Sequence, residues 1–498
     1  MTRKISYNIL SYLGCLLIAF LFCLKFSFTT SFLYNGCHGV DSAIFYIIGK
    51  FWAQGYIPYV DLWDHKGPII FFVNCLGHLL TGDKTGVFIL QVVSLSVFVF
   101  FTFLTFRRSL SSLVSCLLTI VSLFWLSCSY EAGNLTEEYL LPYLAMAVYF
   151  TANWLDKTEA QKEPIDHNPW QAFLLGFILG FSFLTRLTNA LAACGIMLTV
   201  GCVLLYQKKW KNLWKNVLFF CLGFCAIVLP FCAYFAAKGA LSNMLFGSVF
   251  YNYDVLLFTS KKSFSQTAHY NYRDLFLFAI MCANSLCLIV ISVINFFLRK
   301  DHRLSCIIWF SSSLLLSIWL LSSNLSAHYR TLAVPFFPIL VLEILELKKS
   351  LPAVAILILV LLICGPIGFT LRKWNSAIEY YMDPKVPVIC DYVQKYVPDE
   401  SRDAFVGYSI SQGAYIELNI KPCYHNFSLQ ETQSAKSSIL KEDIISEFSS
   451  LKAKYILTPS NDILISEILN NHYYQLPSPK ELPDYHLWVR NDIFQEAH

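Results

Sequence analysis

YVDLWDHKGP, Tyr59 to Pro68, runs directly into IIFFVNCLGHLL, Ile69 to Leu80, and the reading of these two halves decides the topology of the chain. The first half places Asp61, Asp64, His65 and Lys66 within six positions. An ionisable side chain at the centre of a membrane span costs about 2.5 kcal/mol or more, so such a cluster beside apolar sequence points to function. The second half is apolar but only about a dozen residues long, short of the roughly 20 needed to cross hydrocarbon, and it carries Asn74 and His78.

The surrounding composition makes the membrane the relevant solvent. Of 498 residues 56% are hydrophobic and 14% charged, and the mean hydropathy is +0.53, values that exclude a soluble enzyme of this length. The net charge of +4 carries no nucleic-acid signature. Most of the 17 cysteines lie in apolar runs (Cys15, Cys23, Cys116, Cys194, Cys202, Cys221, Cys225), where they read as small hydrophobes, and no CxxC occurs. The first apolar run, Leu10 to Phe28, follows Arg3 and Lys4; it lacks a small-x-small cleavage site and is long enough to span, so it reads as a retained helix.

Apolar runs of about 16 to 25 residues give about eleven spans, at 9–28, 86–106, 110–128, 137–155, 170–185, 189–206, 217–236, 274–298, 304–322, 332–346 and 351–371. If Ile69–Leu80 does not cross, then Arg107/Arg108, Lys157/Lys162, Lys208/Lys209/Lys211/Lys215, Arg299/Lys300/Arg303 and Lys348/Lys349 all fall on the side of Arg3/Lys4. If it crosses, the basic loops scatter to both sides. Charge therefore places 29–85 as one long outer loop holding interfacial helices. The other outer segments are then SYEAGNLTEE (Ser129–Glu138), TRLTN (Thr185–Asn189), Ala237–Arg273 and SSNLSAHYR (Ser322–Arg330).

After residue 371 charge returns and β-rich runs appear: DAFVGY at 403–408, KYILTP at 454–459, HYYQL at 472–476 and YHLWVR at 485–490, with a helical pattern over Leu429–Leu451 between them. The expected organisation is a membrane domain over 1–371 and a small extracytoplasmic α/β domain over 372–498. Cys390 and Cys423 of that domain can pair if the compartment is oxidising. No internal repeat is found.

The unusual polar residues gather on the outer side. Asp41 opens the helical pattern DSAIFYIIGKFWAQG; it is either a cap for free helix N–H groups or a general base. Asp64, Glu131, Glu137 and Glu138 are further carboxylates on that side, and Glu137 and Glu138 serve equally well as charges offsetting a helix dipole. Converging carboxylates suit a hard metal ion or a proton-accepting site. Lys66, Arg186 and Arg330 end hydrophobic segments against the positive-inside bias; each alone can snorkel to headgroups, and together they can clamp a phosphate. His328, two residues from Arg330, suits phosphate, metal or backbone. Both signs of charge are what sugar transfer from a polyprenyl phosphate requires: a carboxylate takes the acceptor proton, and cations or a metal stabilise the departing phosphate. The loop Ala237–Arg273, with Tyr251, Asn252, Tyr253, Tyr270, Asn271 and Tyr272, reads as a cover over such a site or as an interfacial aromatic belt.

The segment from Asp41 through GYIPYVDLWDHKGP resembles the first outer loop of GT-C glycosyltransferases, the superfamily of protein O-mannosyltransferases and lipid A aminoarabinose transferases. The resemblance continues in GNLTEEYLLP (Gly133–Pro142), GFSFLTRLTNALA (Gly180–Ala192) and SAHYRTLAVPFFPIL (Ser326–Leu340), and so covers most of the membrane region. It implies a GT-C fold and an inverting enzyme that uses a polyprenyl-phosphate sugar. It implies Asp41 as the base, Glu137 or Glu138 as the second acidic site, and Lys66 as the contact to the lipid phosphate. Arg186 stands where related sequences often have Lys. Gly67 replaces a usual Pro, and His65 occupies a position that is often acidic in the aminoarabinose enzymes, which leaves metal use open.

The sequence is thus expected to encode an α-helical polytopic membrane protein of GT-C fold with a C-terminal α/β domain. Asp41, Glu137 and Glu138 are its candidate catalytic residues, Lys66, Arg186, Arg330 and His328 its donor-phosphate contacts, and Asp64 and His65 the ligands of a divalent metal ion if one is used. The expected partners are a polyprenyl-phosphate-linked sugar, a lipid, glycan or protein acceptor, and membrane lipids; the expected location is the bacterial cytoplasmic membrane with the site on the periplasmic side. A flippase for lipid-linked saccharides is the alternative, but it requires ionisable residues in mid-span, and most span interiors lack them. An inactive scaffold of the same fold is a third reading, weakened by the retained charges.

Overall fold

A computed structural model of the chain describes residues 2–161, 166–253, 282–322, 327–459 and 463–497. Helices dominate the first three quarters: α1 (Thr2–Phe26), α2 (Val40–Ala53), α3 (Pro68–Thr81), α4 (Lys84–Arg107), α5 (Ser112–Ser127), α6 (Leu141–Gln161), α7 (Pro169–Phe183), α8 (Leu191–Tyr206) and α9 (Trp210–Ala237), then Ala283–Leu298, Arg303–Ser322, Phe337–Leu347 and Pro352–Tyr381. Among the described residues six stretches are long and apolar enough to cross a membrane: Ile9–Phe26, Lys84–Arg107, Leu187–Tyr206, Trp210–Ala237, Lys300–Leu321 and Pro352–Arg372. The apolar helices Ser112–Ser127, Pro169–Phe183 and Ala283–Leu298 are shorter and coincide with three further expected spans. Ile69–Leu80 forms most of the short helix α3, which starts on Pro68 and stops at Gly82 in the left-handed conformation. Pro at the first position costs no hydrogen bond and Gly after the last accepts positive φ, so both ends are written in the sequence.

The expected helix over 332–346 is broken. Ala327–Phe336 forms a 3₁₀ helix and the α-helix begins only at Phe337. Pro335 and Pro338 account for the break: Pro335 supplies no N–H inside the segment, whereas Pro338 sits in the first turn of the new helix, where none is needed.

The chain divides into two compact units, Met1–Ser27 with Phe88–Phe231 and Tyr270–Ala377, and Phe28–Val87 with Cys232–His269 and Ile378–His498. In the first, helices meet backbone to backbone at glycines. A Cβ on Gly176 of α7 would lie 1.9 Å from the Phe220 carbonyl oxygen of α9, and one on Gly195 of α8 would lie 2.3 Å from Ser312 Cα. Between apolar helices in lipid, such close approach is a main source of packing energy.

In the second unit α2 packs on α3, and the C-terminal segment folds around a four-stranded sheet of β1 (Phe405–Gly407), β2 (Tyr455–Thr458), β3 (Tyr473–Gln475) and β4 (His486–Arg490). The order is β1-β2-β4-β3, with β1 and β2 parallel and the other pairs antiparallel. All four strands fall on the β-rich runs of the sequence. The helix Ser438–Ser449 is capped by the Ser437 side chain and places Ile444 and Phe448 in a core with Val406, Ile456 and Trp488. Cys390 and Cys423, which could pair in an oxidising compartment, are both buried and free thiols here.

Candidate functional site

Each unit holds a charged cluster of its own. In the first, the cluster is built on the loop that joins α5 to α6. Glu131, Ala132, Gly133 and Asn134 all have positive φ, from 41° to 89°. Three of these four are not glycine, and such backbone persists only where its surroundings hold it. Glu131 shows one means of holding it. Its Oε1 accepts the N–H of Ala327 at 2.6 Å and its Oε2 accepts Nδ1–H of His328 at 2.5 Å. Burial alone would raise this carboxyl, but the bonds from His328 and the Ala327 N–H hold it below the usual range. His328 is therefore fixed as an ion-pair partner of Glu131, with its ring against Tyr329 at 4.2 Å.

Glu137 and Glu138 take different parts. Glu138 is buried and engaged at both oxygens: Oε1 accepts the Leu135 N–H at 3.0 Å, reaching back to the start of its own 3₁₀ turn, and Oε2 accepts from Gln91 Nε2 at 3.0 Å. Glu137 is equally buried, but only Oε2 is used, by the Thr136 hydroxyl at 2.9 Å. Its Oε1 accepts no hydrogen bond among the described residues and faces the Arg186 guanidinium at 3.9 Å. Arg186, at the mouth of α8, lies 3.8 Å over the Tyr329 ring centroid, with Trp319 at 5.6 Å. A guanidinium stacked in this way keeps its in-plane N–H donors available to a planar or tetrahedral anion. Arg330 is buried beside Cys282, with Glu131 as a nearby charge. Tyr329 and Trp319 are site residues that sequence reasoning missed. Tyr329 carried a signal in lying between His328 and Arg330; Trp319, on a different helix, carried none.

In the second unit the run Tyr59–Pro68 is a closed loop. Tyr59, at φ 69°, donates its N–H to the Leu62 carbonyl at 2.8 Å and its hydroxyl to the Lys66 carbonyl at 2.7 Å. Gly247 lets the chain lie against the buried Tyr59 ring, since a Cβ there would be 2.8 Å from a ring carbon. Asp64 is 2% exposed; Oδ1 accepts the Lys66 N–H at 2.9 Å and Oδ2 lies 3.6 Å from His65 Nδ1. Burial would raise its carboxyl, but His65 and Lys66 override that and hold it below the usual carboxylate range. Lys66 Nζ donates to His65 Nε2 at 3.1 Å, so in the neutral ring the proton sits on Nδ1, toward Asp64.

This arrangement bears on the expectation of a metal at Asp64 and His65, which would have to displace Lys66 from both side chains. One oxygen of Asp64 and one nitrogen of His65 are already engaged by Lys66, and a cation between them would meet the Lys66 ammonium. No group of three or more His, Cys, Asp or Glu side chains able to hold a metal ion is present among the described residues.

Tyr251 and Asn252 join this loop. Asn252 Nδ2 donates to the His65 carbonyl at 2.7 Å, and the Tyr251 ring meets Trp63 edge-on at 5.1 Å. Tyr270, Asn271 and Tyr272 lie outside the described residues. Asp41 is half-buried in the first turn of α2. The N-cap is Gly39, so Asp41 is not the cap, but it stands in the first turn, where the backbone N–H groups have no partner within the helix.

Comparison with known proteins bears on part of the sequence and on the fold. Residues 65–235 match the family model described as dolichyl-phosphate-mannose-protein mannosyltransferase. That segment contains Lys66, Glu131, Glu137, Glu138 and Arg186, and excludes Asp41, His328 and Arg330. No curated protein sequence matches the chain. Among solved structures, the apo oligosaccharyltransferase of Archaeoglobus fulgidus aligns over 90% of this chain and 70% of its own, with a TM-score of 0.54 at 12% identity. The archaeal oligosaccharyltransferase AglB of the same organism, in complex with an inhibitory peptide and a dolichol-phosphate, aligns over 97% and 74% with a TM-score of 0.51 at 12% identity. ArnT from Cupriavidus metallidurans, bound to undecaprenyl phosphate, aligns over 97% of both chains with a TM-score of 0.52 at 10% identity. At these identities the likeness is one of fold, and the expected GT-C fold is the fold observed.

Proposed function

We propose that this chain, built on the GT-C membrane fold, is an inverting glycosyltransferase that moves a sugar from a polyprenyl-phosphate donor to a lipid, glycan or protein acceptor at the outer face of the cytoplasmic membrane. The observation that carries the reading is the pairing of Glu137 with Arg186. A buried carboxylate oxygen without a hydrogen bond among the described residues faces a guanidinium stacked on Tyr329, and Glu137 and Arg186 both lie in the segment that matches the dolichyl-phosphate-mannose-protein mannosyltransferase model. A cation so held is poised for an anion that arrives from outside the protein. The dolichol-phosphate and undecaprenyl phosphate bound to AglB and ArnT support the donor class.

The reaction needs one proton removed and one phosphate released. Asp41 takes the proton of the acceptor hydroxyl, whose oxygen attacks the anomeric carbon. The bond from that carbon to the phosphate oxygen breaks with inversion, and the polyprenyl phosphate leaves as an anion. That charge calls for cations, and the candidates are Lys66 in the second unit and Arg186 and Arg330, with His328, in the first. General-base assistance is worth roughly 10² to 10⁴-fold and preorganised cations contribute at least as much.

The test is transfer by the purified full-length protein from a panel of radiolabelled polyprenyl-phosphate sugars. Asp41→Asn is expected to lower turnover by at least about 10²-fold without changing insertion or thermal stability. Near-normal turnover of that variant would remove Asp41 from the chemistry. Sugar-lipid translocation across proteoliposomes without transfer would favour the flippase.

A further inference from the structure

We infer that His425 of the C-terminal domain, clamped between Asp443 and Glu447, positions the Tyr59–Pro68 loop that carries Lys66; as a statement about catalysis this rests on the transferase reading above. His425 Nε2 lies 2.8 Å from Asp443 Oδ2 and Nδ1 lies 2.7 Å from Glu447 Oε1. Both carboxylates come from the helix Ser438–Ser449, one turn apart. An imidazole that donates from both nitrogens is an imidazolium. The two carboxylates take opposite edges of the ring and do not converge on a point, so the group is a clamp and not a set of metal ligands.

The clamp ends on the loop. Glu447 also accepts the backbone N–H of His425 at 2.8 Å and of Asn426 at 3.2 Å, and the Asn426 side chain reaches Asp443 at 2.8 Å and Glu447 at 2.9 Å. The backbone so fixed presents the His425 carbonyl, which accepts the N–H of Trp63 at 2.9 Å. Trp63 is the residue before Asp64, whose carboxylate ties Lys66. From the carboxylates of one helix to the candidate phosphate contact, every link is a hydrogen bond or a peptide bond.

The charge on the ring gives the clamp a pH range. Burial works against the imidazolium, but the hydrogen bonds and charges of Asp443 and Glu447 outweigh it, and the ring is pushed up to about 9. Asp443 is drawn down in turn, chiefly by its bond to His425. Lys421 and Lys452 are further charges of this region, both acting on Cys423, and Asp61 acts on Lys421. Because the folded value is raised, the stabilisation is complete below the ordinary histidine range near pH 6.5 and is lost as pH rises through about 9.

Two measurements on the full-length protein test this. The first is amide hydrogen exchange over residues 59–66 at pH 7; the second is the donor KM across pH 6.5 to 10. His425→Gln is expected to raise exchange in 59–66 and the donor KM by roughly tenfold each at pH 7, as loss of charged hydrogen bonds predicts. The KM difference from wild type should close above pH 9, where the wild-type clamp also discharges. His425→Arg keeps a cation between the carboxylates and should restore both values without the alkaline change. Asp443→Asn, which removes one side only, should fall between. Unchanged exchange in 59–66 overturns the inference whatever happens to transfer, and so does a KM defect of equal size at pH 7 and pH 10. Should wild type transfer no sugar at all, the function reading fails alone, and exchange still decides whether the clamp holds the loop.

Discussion

Glu137 and Glu138 are adjacent carboxylates, both buried, with unlike surroundings. Glu138 spends both oxygens inside the protein, one on the Leu135 N–H and one on Gln91, whereas Glu137 turns an oxygen toward Arg186. Glu138→Gln should therefore act mainly on stability: the amide has one acceptor oxygen where the carboxylate had two, so its NH2 must face either the Leu135 N–H or Gln91 Nε2, donor against donor, and the melting temperature in detergent should fall, at a cost of about 1 to 3 kcal/mol. Glu137→Gln should leave the melting temperature nearly unchanged and lower turnover. The reverse pattern would exchange their roles. Arg186→Lys keeps the charge but loses the planar stack on Tyr329 and the bidentate geometry, so the donor KM should rise by about tenfold, some 1.4 kcal/mol, with kcat less affected. An equal loss in kcat alone would remove Arg186 from donor binding. Asp64 adds a pH dependence of opposite sign to that of His425. Its carboxyl is held below the ordinary range, so its contribution is complete above about pH 4 and is lost as pH falls through the lowered value. Amide exchange over 59–66 should rise on that acid limb, and Asp64→Asn should abolish the rise.

The helices of the first unit meet where side chains are absent. A Cβ on Gly195 would come 2.3 Å from the Ser312 backbone, and one on Gly176 would come 1.9 Å from the Phe220 carbonyl; both neighbours are main chain and cannot turn aside. Gly195→Val should therefore lower the melting temperature through a cost of about 1 to 3 kcal/mol or more, while Gly201→Val on the same helix, where a Cβ meets nothing within 4 Å, should not. Equal effects would refute close packing at Gly195. Elements of this kind show what a sequence makes legible. The four strands and the ends of α3 were readable because alternation, Pro68 and Gly82 act locally. The break at Pro335 to Pro338 was missed because hydropathy counts proline without its lost N–H. The site divided in the same way. Lys66, Glu137 and Arg186 stand out because charge beside an apolar run is costly wherever the chain goes. Tyr329 against Arg186 and Asp443 and Glu447 against His425 depend on tertiary packing and leave no local trace. That Lys66 folds back onto both Asp64 and His65 is likewise something that spacing alone does not reveal.

At the scale of the whole molecule, the charge argument that set aside Ile69–Leu80 as a span makes a claim about sidedness that no single residue can. The second unit gathers 28–87, 232–269 and 378–498, three segments far apart in sequence, each entered from a helix long enough to cross a membrane. If the positive-inside assignment is right, these segments share the outer side and the basic loops share the other. Single cysteines introduced at exposed positions test this by reaction with a membrane-impermeant maleimide, with the wild-type chain as baseline. Gln54→Cys and Lys480→Cys should label in sealed, right-side-out vesicles, and Lys211→Cys and Lys349→Cys only after permeabilisation. Had α3 crossed the membrane, position 54 would lie opposite position 480 and the two would label under different conditions. The outcome bears on chemistry as well as topology. Asp41, Lys66 and the His425 clamp all belong to the unit whose side is being measured, and a polyprenyl-phosphate donor presented at the outer face can be used only if that unit is there.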